Sequence, residues 1–282
     1  MLKSTIAARL LLFAFGLAVS AVEPWKILPP TPHLPASERS GYAPINGIRM
    51  WYAEFGGGQP VLLLHGGLAN SNYWGNLVPF LVERHFLVIV ADSRGHGRST
   101  RSAEPYSYDL MASDVVALLD YLKISKVDLV GWSDGGIIGI DLAIHHPERL
   151  KRLFAFGANT DPSGLTSNFD KTSVFGGFIK RSGLEYAQLS ETPDQYAAFV
   201  KQISQMWATQ PHFTDEQLRS IRTPTTIADG QYDEAIKLSH DRYMARTIPH
   251  AKLVILPDVS HFAMLQNPAV LNAAVLTALK GR

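Results

Sequence analysis

Four stretches among the first 160 residues, VLLLH (61–65), LVIVA (87–91), VDLVGW (127–132) and LKRLFAFG (150–157), are rich in apolar residues that do not alternate with polar ones. A strand with one face in water alternates, so a strand that does not must have both faces covered. Helical spacing fills the intervals, over 74–83, 108–122 and 135–146. Parallel neighbours cannot be joined by a tight turn; the chain has to cross back over the sheet, usually as a helix. The same rhythm returns in TTIAD (225–229), a helix over 236–248, AKLVILP (251–257) and a last helix over 268–279. Only YAPINGIRMWYAEFGGG (42–58) departs from it, alternating about Asn46-Gly47, the strongest short signal for an antiparallel hairpin. The expected fold class is α/β, a mostly parallel, doubly wound sheet entered by an N-terminal hairpin.

The alternation stops between 159 and 213. That segment has no strand, only helical patterns over 177–190 and 193–208, and it reads as a small helical cap inserted into a core of 41–158 and 214–282. Tyr196, Phe199, Val200, Ile203, Met206 and Trp207 form one apolar face, expected to pack, with Trp207 also placed to reach a pocket.

Residues 1–21 combine a basic start (Lys3, Arg9), an apolar run from Leu10 to Val19 and small residues at Val19 and Ala21, the pattern of a cleaved signal peptide. The expected product starts near Val22 and is secreted or periplasmic, and the apolar run is too short to span a bilayer. Residues 22–40 carry Pro24, Pro29, Pro30, Pro32 and Pro35 and read as a semi-rigid tether. Loss of the two N-terminal bases would turn the formal charge from +1 to −1, a balance that offers nucleic acid nothing to hold. Absence of cysteine removes disulfides, thiolate catalysis and cysteine metal sites.

Catalytic groups on such sheets gather at the carboxyl ends of the strands. Those ends carry His65-Gly66-Gly67, D-S-R-G-H-G-R-S (92–99), G-W-S-D-G-G (131–136), Asp229 to Asp233 and Asp258 to His261. A hydroxyl, a carboxylate and an imidazole thus occur in the order Ser, Asp, His. Serine hydrolysis needs all three, because a hydroxyl attacks only when a neutral imidazole takes its proton and a carboxylate orients that imidazole. Two carboxylates compete for the last role, Asp229 nearer the strand end and Asp233.

HGG, D-S-R-G-H-G-R-S, G-W-S-D-G-G, G-Q-Y-D (230–233) and V-S-H-F (259–262) together resemble the α/β-hydrolase superfamily over nearly the whole mature chain. The resemblance implies Ser133 as nucleophile, Asp233 as acid by its G-x-x-D spacing, and His261 as base. It implies an oxyanion hole from the N–H groups of Gly67 and Asp134, with Leu68 as the alternative to Gly67. His65, His96, Asp92 and Arg94 fit structural roles beside the pocket. His145-His146 read as a helix end, and without H-E-x-x-H or comparable spacing no metal is expected, nor any cofactor. Trp132, Asp134, Trp207 and Phe262 are the candidate substrate contacts.

Asp134 is the unexpected member, a carboxylate beside a developing oxyanion. Either it merely complements the helix dipole, or it receives a cationic group. G-W-S-D-G-G is similar to the biphenyl-hydrolase-like branch, which includes α-amino acid ester hydrolases and implies the second role. The expected function is an exported serine hydrolase cleaving a small carboxylic ester through an acyl-enzyme. Amide, lactone or carbon–carbon hydrolysis on the same groups, and a non-enzymatic receptor using the pocket, are the alternatives. Oligomeric state is not legible.

Overall fold

In the computed structural model, which describes residues 23–281, Asn46 and Gly47 take φ of 42° and 73°. Positive φ at both central positions defines the hairpin turn that matches strand twist, and it joins β1 (Arg39–Ile45) to β2 (Ile48–Gly56) antiparallel. The expected signal peptide lies outside the described residues. β3 (Gln59–Leu64) and β4 (Phe86–Ala91) follow, the latter after the short helix α1 (Leu77–Val82). Helix α2 (Tyr108–Tyr121) leads to β5 (Val127–Trp132), α3 (Asp134–His145) and β6 (Leu150–Phe156). The described strands form one sheet in the order β1-β2-β4-β3-β5-β6, continued by β7 (Thr225–Gly230) and β8 (Lys252–Leu256). From β4 onward the pairings are parallel. Val61, Leu62, Leu63 and Leu64 are completely buried, as are Leu129 and Val130 next to them. Their lack of alternation is explained by helices on both faces.

Between β6 and β7 lie the cap helices α4 (Ser173–Leu189) and α5 (Tyr196–Thr209), then the single turn and a half of α6 (Asp215–Ser220). Helix α4 starts four residues earlier than its apolar spacing predicts, because the Thr172 hydroxyl accepts the Phe175 N–H at 3.2 Å and caps the turn ahead of Gly176-Gly177. On the other side of the cap, α7 (Leu238–Thr247) precedes β8, and α8 (Ala263–Gln266) and α9 (Pro268–Leu279) close the chain. Among the described residues no helix is long and apolar enough to cross a membrane.

The proline-rich segment is docked along the body instead of standing free as a tether. Its prolines prevent a helix, so its carbonyls need partners from elsewhere. Arg181 of α4 donates to the Leu28 carbonyl at 3.0 Å, and Gln266 of α8 to that of Ile27 at 3.0 Å. Trp25 stacks on Tyr232 with ring centroids 4.0 Å apart.

Candidate active site

At Ser133 the chain turns from β5 into α3 with φ 54° and ψ −119°, a conformation that costs on the order of 1–3 kcal/mol for a residue with a side chain. The turn is possible because Gly131 and Gly135 pass so closely that a Cβ on Gly131 would stand 2.2 Å from the Gly135 carbonyl oxygen. Ser133 N–H is tied to the Phe156 carbonyl at 2.8 Å, which anchors the turn to β6. The hydroxyl is thereby held at the carboxyl edge of the sheet, where it lines a cavity of about 220 Å³.

His261 follows β8 and lines the same cavity. Its Nδ1 lies 2.6 Å from Asp233 Oδ2, and both side chains are almost wholly buried. The other Asp233 oxygen accepts the N–H groups of Ala235 and Ile236 at 2.6 and 2.8 Å, so the carboxylate cannot swing away. Burial opposes charge on both partners, but their mutual attraction and hydrogen bond outweigh it. Asp233 is held below the usual carboxylate range and His261 is lifted above its ordinary 6.5. With Nδ1 donating to Asp233, Nε2 is the nitrogen left for the cavity. Gly157, at φ 60°, makes room: a Cβ there would stand 2.8 Å from the imidazole.

The rival carboxylate, Asp229, lies in β7 and accepts the Gly230 N–H at 2.7 Å. Burial first, and then the nearby Asp233, push it well above the carboxylate range, and fully buried Asp241 of α7 is raised to about 7 beside it. Asp229 stands behind Asp233, and the side-chain hydrogen bond between them helps to hold Asp233 low. His65 and His96 hold the backbone. His65 Nε2 accepts the Ser93 N–H at 2.9 Å, and desolvation keeps both rings neutral, with His96 lowered to about 3. Asp92 takes the N–H groups of Ser71 and Arg98, while buried Arg94 grips Asp114 at 2.6 and 2.8 Å.

Asp134 is neither a bare helix-start carboxylate nor a free one. Tyr108 Oη donates to its Oδ1 at 2.9 Å, and Trp207 Nε1 lies 3.0 Å from both its oxygens. It therefore joins α3 to the start of α2 and to cap helix α5. Its side chain reaches Gly67, where a Cβ would stand 2.6 Å from Oδ2. Burial raises it to about 6 against the two hydrogen bonds and the nearby His261.

Gly67, Trp132, Asp134 and Trp207 all line the cavity, and Leu68 does not. Phe262 does not line it either: it is fully buried behind the wall, packed on Trp132, Phe175 and Phe178. Three phenylalanines do line the cavity, Phe175 and Phe178 from α4 and Phe169 from the turn before it, together with Tyr108, Asn159, Gln210 and Ile236, none of them singled out in the sequence. Tyr108 was legible only as a helix start; its contact with Asp134 is 26 residues distant.

A hydroxyl on a strained turn, an imidazole oriented by a carboxylate and the unpaired first N–H groups of a helix are the parts from which acyl transfer is built. Comparison with known proteins finds relatives of several activities. A non-heme haloperoxidase of Rhodococcus erythropolis is 28% identical over 272 residues, 83% of this chain and 97% of its own. A 3-oxoadipate enol-lactonase 2 of Acinetobacter baylyi is 29% identical over 260 residues, covering 83% and 94%. The human serine hydrolase BPHL is 25% identical over 260 residues, covering 87% and 89%. In fold, a solved meta-cleavage product hydrolase from Pseudomonas fluorescens superposes with a TM-score of 0.73 over 87% of this chain and 98% of its own, at 22% identity. The family model described as alpha/beta hydrolase fold matches residues 59–180, the stretch that runs from β3 through the Ser133 turn into the cap. The chain has the alpha/beta hydrolase fold, with its strongest likeness to that family in the stretch that carries Ser133.

Proposed function

We propose that this hydrolase is exported and cleaves a small carboxylic ester through an acyl-enzyme on Ser133. The observation that carries the reading is that Ser133 and the Asp233-oriented His261 line one cavity. Ser133 Oγ attacks the ester carbonyl while His261 Nε2 takes its proton. The oxyanion meets the N–H groups of Gly67 and Asp134. His261 returns the proton to the leaving alcohol, and a water then enters by the same route to release the acid. Every group in this sequence belongs to the chain.

A cavity of about 220 Å³ is small for a ligand site, and its walls include Trp132, Leu165, Phe169, Phe175, Phe178 and Ile236. Small, largely apolar acyl groups suit it, and a lactone is chemically a cyclic ester within the same class. The signal-like pattern of residues 1–21 supports export.

The test is turnover of p-nitrophenyl esters of rising chain length, beside the matching anilides, with Ser133→Ala as control. Ester turnover that vanishes in Ser133→Ala, together with fluorophosphonate labelling of the wild type, is the expected result. No ester turnover and no labelling would leave a receptor; turnover untouched by Ser133→Ala would remove the acyl-enzyme. Intact-mass analysis of exported protein should show a start near Val22.

A further inference from the structure

Beyond the Ser133 cavity, a second cavity of about 250 Å³ opens beside the starts of α2 and the end of α3. Asp109, Asp141 and His145 line it, with Gln210, His212 and Gln217. Asp141 and His145 are one helical turn apart on α3, and His145 Nδ1 lies 3.2 Å from Asp141 Oδ1. Asp109 comes from the first turn of α2, and one donor atom of each residue lies within 4.8 Å of the other two.

The second Asp141 oxygen needs an explanation. Asp141 is 1% exposed, and its Oδ2 has no hydrogen-bond partner. A buried oxygen without a donor, on a carboxylate that shares its cavity with another carboxylate, calls for a positive partner. A proton shared with Asp109 is the other way to occupy that oxygen, and absence of saturable metal binding is its signature. Two oxygen donors and one nitrogen, with the O–N edge at 3.2 Å, fit a metal ion. Neighbouring ligands at bonds of about 2.1 Å are separated by roughly 3.0 Å in an octahedron and 3.4 Å in a tetrahedron.

We propose that Asp109, Asp141 and His145 form a binding site for a divalent transition-metal cation, of which Zn²⁺ and Mn²⁺ suit the mixed carboxylate and imidazole donors. The sequence reading expected no metal because it looked for ligands within one motif. Here the D-x-x-x-H pair on α3 is completed by a residue on another helix. None of the three residues lines the Ser133 cavity, and the ion takes no part in ester cleavage. Its effect is on the cap: Tyr108, next to Asp109, donates its N–H to Gln210 Oε1 at 3.1 Å and its hydroxyl to Asp134. Gln210 lines both cavities. Fixing the first turn of α2 therefore fixes the floor under Trp207.

The test uses the mature chain stripped with EDTA, titrated with ZnCl₂ and MnCl₂ by calorimetry, with CaCl₂ and MgCl₂ for comparison. One saturable ion per chain is expected, with a melting temperature raised by about 5 °C at a hundredfold excess over Kd. Asp141→Asn and the more exposed His145→Gln should each weaken binding at least tenfold, while melting, without metal, near the wild type. If one of the two fails to fold, the other decides. His261→Ala should bind like the wild type, since Asp229, Asp233 and His261 are the other such cluster among the described residues. No saturable binding, equal binding in the α3 variants, or loss confined to His261→Ala would each overturn the site.

Discussion

Asp134→Asn isolates the energetic consequence of a carboxylate buried next to Ser133 at the start of α3. The folded protein holds this carboxyl at about 6, against 3.8 for the free group. Between those values the native state binds more protons than the unfolded chain, so stability falls as pH rises through the window. The full gap, at about 1.4 kcal/mol per pH unit, is about 3 kcal/mol above pH 7. About half of it is already in place at pH 5. Asparagine keeps the shape and one acceptor for Tyr108 and Trp207 but has no proton to lose. The stability difference between Asp134→Asn and wild type should therefore widen in favour of the variant by more than about 1 kcal/mol from pH 5 to pH 8. Urea unfolding followed by far-ultraviolet circular dichroism at pH 5, 6.5 and 8 measures it. Any lost hydrogen bond shifts all three values equally, so only the pH-dependent part reports the titration. A difference that stays constant would show that Asp134 is not a costly buried charge. The same variant separates the two functional readings of the residue. If Asp134 receives a cation, wild type prefers an α-amino acyl ester to its des-amino analogue and Asp134→Asn erases the preference; neutral esters are cleaved at least as fast.

Ser133→Ala and His261→Ala should each lower kcat by ~10⁴-fold or more, and Asp233→Asn by on the order of 10³–10⁴, in ester assays. Asp229→Asn should cost less than about tenfold, since the amide still donates toward Asp233; a reversed order for the two aspartates would transfer the orienting role to Asp229. The rate should rise with pH through a midpoint above 6.5, because His261 must lose a proton that Asp233 holds more tightly than usual. A kcat/KM profile flat from pH 5 to 8 contradicts it. Phe199→Ala, removing a ring 1% exposed and stacked on Tyr186, should cost ~3–5 kcal/mol in stability with substrate preference unchanged. Trp207→Phe, which deletes the donor to Asp134, should instead shift acyl preference in a folded enzyme, as a chain-length series would reveal.

The parallel core was legible because strands such as VLLLH and LVIVA carry no alternation, and burial on both faces permits few architectures. Asn46-Gly47 was legible for a local reason, positive φ at two successive positions. Ser133, His261 and both candidate acids were recognisable from their strand ends, yet only coordinates show Asp233 bonded to His261 and Asp229 behind it. Phe262 misled because adjacency in the chain to His261 says nothing about which side of the wall a ring occupies. Tyr108 and Gln210 gave no signal, since their contacts join segments about a hundred residues apart through a backbone N–H. The proline segment was misjudged for a related cause. Its partners bind main-chain carbonyls, which every residue possesses and no sequence pattern displays.

That docked segment has a consequence for the order in which the molecule is completed. Gln266 reaches carbonyls of Trp25 and Ile27, contacts that bridge 241 and 239 residues. Loop-closure entropy delays such pairings, so residues synthesised well before Gln266 are some of the last to find their places. A clasp that fastens last is also free to open first, without disturbing the sheet. Trp25 rests on Tyr232, the neighbour of Asp233, so each opening uncovers the loop that orients His261. A protease nick near Pro30 would therefore be felt as a slackened imidazole before any loss of secondary structure, and hydrogen exchange at Tyr232 would register the clasp's release well before the strands unfold.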